Sequence, residues 1–142
     1  MVKFKEYQGS YNISVLSDGS FLLPQEYLEV WKNRNPFYNL ANQNPFFFAQ
    51  LNSEGGYPIL RLYDPISAIS TFGDSVNPEE VCSKIEITDG KFNGKLSNLL
   101  GENRSGIEGI IMVGLNDVID IWNKIYYGSF ISELSEPEDI FL

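Results

Sequence analysis

Gly109-Ile110-Ile111-Met112-Val113-Gly114-Leu115-Asn116-Asp117-Val118-Ile119-Asp120-Ile121-Trp122 reads as two apolar strands around a polar Asn116-Asp117 turn. Upstream, Lys84-Ile85-Glu86-Ile87-Thr88-Asp89-Gly90-Lys91-Phe92 alternates apolar with polar residues, turns at Asp89-Gly90 and starts a short return strand. A brief helix through Leu96, Leu99 and Leu100, ending at Gly101, joins the two hairpins. The same order occurs earlier in the chain. Tyr11 to Leu23 holds Asp18-Gly19 between two β-rich stretches. Pro24 opens a short amphipathic helix carrying Tyr27, Leu28 and Trp31, and a second hairpin follows, with Phe46–Leu51 and Pro58–Tyr63 flanking Gly55-Gly56. Strand, turn, strand, helix, strand, turn, strand is thus an internal repeat of pattern rather than of identity.

Between the copies, Asp64-Pro65 ends a strand, Ile66 to Phe72 reads as a helix, and Asn77-Pro78 supplies a cap and a first helical residue. Asn33 to Pro45, rich in Asn and Pro, reads as a loop, and Asn123 to Leu134 as a final helix that Gly128 weakens. Phe46, Phe47 and Phe48, with Phe37 and Tyr38, make the densest aromatic cluster. Alternation puts Phe46 and Phe48 on one face and Phe47 on the other, for use in the core or at a subunit interface. Trp31 and Trp122 are anchors of the same kind.

The 142 residues carry ten Lys+Arg against nineteen Asp+Glu, a formal charge of −9, and no histidine. One core, or two small related halves, fits that length. The commonest general base and metal ligand is missing. Cys82 is the only cysteine, so no internal disulfide forms and nothing activates its thiol. Glu79-Glu80 sits in a first helical turn, where it complements the helix dipole. Asn116, Asp117 and Asp120 lack the spacing of a calcium loop, and no Gly-rich loop is spaced to cradle a phosphate. These residues lead to no enzyme, no cofactor and no metal. No apolar run spans a bilayer, and Lys3, Lys5 and Glu6 lead into polar residues rather than an export signal, so a cytoplasmic protein is expected. The acidic balance also works against a phosphate backbone, which is held by Lys and Arg.

The Val113–Asn123 segment, following Ile85-Glu86-Ile87 and Asp89-Gly90-Lys91, resembles the second half of a MraZ-type protein, a family with two SpoVT/AbrB-like swapped-hairpin units in one chain. Asp18-Gly19-Ser20-Phe21-Leu22-Leu23-Pro24 and Leu60-Arg61-Leu62-Tyr63-Asp64-Pro65 resemble its first half, so the likeness runs over about residues 9 to 127. The resemblance implies an α+β, mostly β fold of tandem AbrB/MazE-like units with short helices. It divides the chain into a first unit at 9–65, a helical linker at 66–84, a second unit at 85–127 and an acidic tail at 128–142. It also implies a ring-forming transcriptional regulator that meets DNA through its Gly turns, here Gly19, Ser20, Gly90, Lys91 and Lys95, and that would be nucleoid-associated.

Leu16, Asp18 and Ser20 stand where that family carries an acid, a base and an arginine, and Lys91 is the cation that survives. Lysine lacks the fork that suits arginine to phosphate and guanine. Two functions follow: an oligomeric MraZ/AbrB-like DNA-binding regulator with a degenerate motif, or a diverged oligomeric module that has left DNA for a protein partner. Homo-oligomerisation is expected of both, because small hairpin units expose edges that need covering. No membrane partner is expected of either.

Overall fold

The computed structural model describes residues 4–16, 18–40, 44–93 and 109–135. Their strands are β1 (Ser10–Ser14), β2 (Phe21–Leu22), β3 (Phe46–Glu54), β4 (Tyr57–Tyr63), β5 (Ser83–Thr88), β6 (Lys91–Phe92), β7 (Gly109–Leu115) and β8 (Val118–Asn123). The helices are α1 (Gln25–Arg34), α2 (Pro36–Leu40), α3 (Pro65–Phe72) and α4 (Lys124–Ser135), with one 3-10 turn at Pro78–Glu80. No helix among the described residues is long and apolar enough to cross a membrane.

The chain is a mixed α+β protein with one antiparallel sheet in the order β1-β7-β8-β4-β3-β5-β6-β2. Two swapped-hairpin units standing in tandem, each around its own hairpins, are not what forms. The sheet is single, nearly closed and barrel-like. Strands of the two repeats alternate in it: β1 pairs with β7, β5 with β3, β4 with β8 and β2 with β6. The reason is burial. Tyr11 and Ile13 of β1 lie across from Met112 and Ile110, and Ile85 of β5 lies across from Phe47, so both repeats feed one core larger than either could enclose alone.

Register fixes which side chains face inward. Ala49, Leu62 and Ile119 share one row, and Leu60, Ile121 and Met112 the next, all on the inner face. Phe47 faces inward and is fully buried, whereas Phe46 and Phe48 meet edge-to-face on the outer side. Trp31 of α1 closes over that outer pair, donating Nε1–H to the Phe46 carbonyl at 2.8 Å. The aromatic cluster therefore serves two surfaces of one subunit.

The Asn33–Pro45 stretch is more ordered than its composition predicts. Asn35 ends α1 by donating its side-chain amide to the Trp31 carbonyl at 2.9 Å, and Pro36 then starts α2. Asp64 caps α3, its Oδ1 accepting from the Ser67 N–H at 2.8 Å, and Asn77 caps the 3-10 turn. The last helix forms despite Gly128 and runs to Ser135, held by Phe130 against Trp122 with ring centroids 4.8 Å apart. The helix expected through Leu96 to Leu100 lies outside the described residues, as does the tail beyond Ser135.

Candidate functional site

The residues that the resemblance assigns to DNA come together at one end of the sheet. The first turn is closed by Leu16 N–H to the Ser20 carbonyl at 2.8 Å and Gly19 N–H to the Leu16 carbonyl at 2.9 Å. Gly19 has φ +86°, and a methyl group there would meet nothing within 4 Å. The second turn uses Asp89 at φ 53° and Gly90 at φ 78°. β2 and β6 then bring the turns side by side, with Leu22 across from Lys91 and the Leu23 N–H donating to the Gly90 carbonyl at 2.9 Å. Gly19, Ser20, Gly90 and Lys91 thus share one end. Lys95 lies outside the described residues.

Their chemistry there is not that of a phosphate clamp. Ser20 is buried, and its hydroxyl and N–H both donate to Asp18 Oδ1, at 2.6 and 3.0 Å. Those hydrogen bonds, and after them the charge of Lys91, hold the Asp18 carboxyl below its ordinary range. Lys91 thus shares this end of the sheet with an acid of the other turn. Glu86 and Asp89 are exposed on the same hairpin, while Asn93 closes it by donating to the Glu86 carbonyl at 2.9 Å. Leu22 is 54% exposed beside Lys91, and Leu16 is exposed at the first turn. Lys84, the next cation along β5, has its Nζ 4.5 Å above the Phe46 ring.

A second polar constellation escapes sequence reasoning. Arg34, at the end of α1, is buried together with Asp64. Its Nε donates to Asp64 Oδ2 at 2.7 Å, one terminal nitrogen to Ser67 Oγ at 2.7 Å, and the other to the Lys5 carbonyl and Asp117 Oδ1 at 3.3 Å. The Tyr7 hydroxyl donates to the same Asp64 oxygen at 2.7 Å. Burial opposes the guanidinium charge, but the hydrogen bond and charge of Asp64 outweigh it and raise the Arg34 pKa. Burial, and then the Asp64 charge, push the Tyr7 hydroxyl far above its usual value. The cluster joins the N-terminal segment, α1, α3 and the β7–β8 turn. Its polar atoms are spent on one another, so it acts as a tie rather than as an acid or base facing substrate. The sequence marks Asp64 only as a strand end before Pro65, and the thirty positions back to Arg34 carry no local signal.

The carboxylates weighed as cation ligands separate. Asp117 turns to Arg34, while Asp120 takes a bidentate fork from Arg61 across β4 and β8 at 2.7 and 2.9 Å. That fork raises the Arg61 pKa. No cluster of three acidic, histidine or cysteine side chains that could hold a metal occurs among the described residues. Cys82 lines a groove with Ala49, Leu51, Leu60 and Val81, and burial pushes its thiol up, away from the nucleophilic form.

No protein-family model matches this chain, and no curated protein matches its sequence. The chemistry of the sheet end therefore has to carry the functional argument alone.

Proposed function

We propose that this chain is an oligomeric protein-interaction module whose β2–β6 end meets a protein rather than DNA. One observation carries the reading: Lys91 shares the β2–β6 end with Asp18, whose carboxylate accepts from Ser20, while exposed Leu22 lies directly across from Lys91 and Asp89 sits at the turn. Duplex binding needs a surplus of cations over the phosphate path, and here Lys91 shares its two hairpins with Asp18, Glu86 and Asp89. Exposed leucines among short-range charges suit a protein surface instead.

A MraZ/AbrB-like DNA-binding regulator is the second reading. It is favoured by the meeting of the Gly19 and Gly90 turns at one end, which gathers the residues such a protein would use. Fluorescence anisotropy of a labelled duplex, titrated with the protein across a salt series, separates the two. The interaction-module reading expects no salt-dependent binding even at low ionic strength. Tight binding that weakens steeply with salt, and is lost in Lys91→Ala, overturns it in favour of the regulator.

A further inference from the structure

We propose that the groove beside the far end of β3 takes an extended, basic segment of a partner protein, which adds main-chain hydrogen bonds to Leu51 and Ser53. The site goes beyond the reading above, because it lies at the Ser83 end of β5, and the Asp89-Gly90 turn lies at the other.

β3 outruns its neighbour. It continues to Glu54, whereas β5 begins only at Ser83, opposite Ala49. Ile87 N–H donates to the Pro45 carbonyl at 2.8 Å, so the odd-numbered residues of β3 turn their backbone groups toward β5 and the even-numbered ones toward β4. Extending that register would set Val81 against Leu51 and Glu79 against Ser53, and neither pair forms. Val81 and Cys82 N–H both donate to the Pro78 carbonyl, at 3.1 and 2.9 Å, and Glu79 N–H donates to Asn77 Oδ1 at 3.1 Å. The outward N–H and C=O of Leu51 and Ser53 are thus left without a strand partner among the described residues.

There is room beside them. A groove of about 450 Å³ separates this edge from the turn, with Ala49, Leu51 and Leu60 on one side and Glu80, Val81 and Cys82 on the other. Leu51 lies across from Leu60 on the inner face yet is 52% exposed, and Val81 is 45% exposed, so both walls offer apolar surface. The charge has one sign. Glu80 lines the groove, Glu54 ends the strand and Glu79 sits in the turn, both exposed, and no lysine or arginine is among the described lining residues. Lys84, next after Ser83, lies over the Phe46 ring on the outer face. Free backbone groups suit an extended chain, the Leu51 and Val81 walls suit an aliphatic side chain, and the three carboxylates suit lysine or arginine beside it. A second copy of this chain, at −9, brings the wrong sign.

A fluorescein-labelled Lys-Val-Lys-Val-Lys-Val peptide, titrated with the whole chain at low ionic strength and read by anisotropy, tests the site. Saturable binding is expected, weakened about tenfold by Leu51→Lys and by Glu80→Lys. Glu29→Lys changes the net charge as much as Glu80→Lys does, but on α1, and is expected to leave the affinity within about twofold. Ser53→Pro removes an N–H that serves only the open edge and is expected to weaken binding as Leu51→Lys does, with unchanged far-ultraviolet circular dichroism. Should proline disturb the fold, Leu51→Lys decides alone. Amide exchange at Leu51 and Ser53 is expected to slow when the peptide saturates the chain. Absence of saturable binding, or equal losses in Glu29→Lys and Glu80→Lys, overturns the site. Lys91→Ala is expected to leave peptide binding unchanged, so this site and the β2–β6 surface stand or fall separately.

Discussion

Arg34 Nε lies 2.7 Å from Asp64 Oδ2, with the two side chains 5% and 0% exposed, so an ion pair from elements thirty residues apart sits inside the protein. Breaking such a pair from one side leaves a buried charge without its counter-ion. Arg34→Met is therefore expected to lower stability by about 3–5 kcal/mol. Urea denaturation followed by tryptophan fluorescence measures it. Arg34→Met combined with Asp64→Leu is expected to recover part of the loss, because the orphaned carboxylate is gone.

Tyr7 ties the N-terminal segment to this pair, and its hydroxyl stays neutral in the fold at pH values where an unfolded tyrosine ionises. The folded pKa is raised, so its contribution is complete below about pH 10 and declines as the pH rises above that value. Tyr27 shifts in the same direction, through burial first. Stability is expected to fall above about pH 10 by up to ~1.4 kcal/mol per unit for each such tyrosine. Tyr7→Phe is expected to make that decline shallower while costing about 1–2 kcal/mol at neutral pH. Denaturation midpoints across the alkaline range check both statements.

Gly114 lets the N-terminal segment cross β7. A methyl group at this position would fall 2.5 Å from the Tyr7 carbonyl carbon and the Gln8 nitrogen, which are backbone atoms with little room to give. Gly114→Ala is expected to destabilise by about 1–3 kcal/mol and to loosen the Tyr7–Asn116 bridge. Faster amide exchange at Tyr7 and Asn116 would show the loosening.

Two phenylalanines ten positions apart should behave oppositely. Phe47 is 0% exposed on the inner face, and Phe37 on α2 is 84% exposed. Phe47→Ala is expected to cost about 3–5 kcal/mol through the cavity it leaves. Phe37→Ala is expected to change stability by less than about 0.5 kcal/mol. Thermal melts of the two variants make the comparison.

Local features were legible because their causes are local. The Asp89-Gly90 turn, the β3–β4 hairpin, the Asn77 cap and the split of Phe47 from Phe46 and Phe48 each follow from neighbours within a few residues. Helix α2 was missed because asparagine and proline favour loops in general, and only Asn35, folding back on Trp31, makes Pro36 a helix start. Of the candidate contact residues, Gly19 and Gly90 were readable as turns. That Ser20 would be spent on Asp18 was not, because it depends on the exact course of the turn.

The sequence by itself determined the strands, the repeat of their order and the acidic charge, since periodicity, turn residues and composition are properties of the chain read along its length. Only the tertiary structure decided that both repeats share one sheet, that Arg34 meets Asp64, and that the Gly19 and Gly90 turns come to one end of that sheet. Those three are pairings across tens of residues. They are selected by burying one common core and by satisfying the charges caught in it or at its edge, and no local pattern encodes that selection.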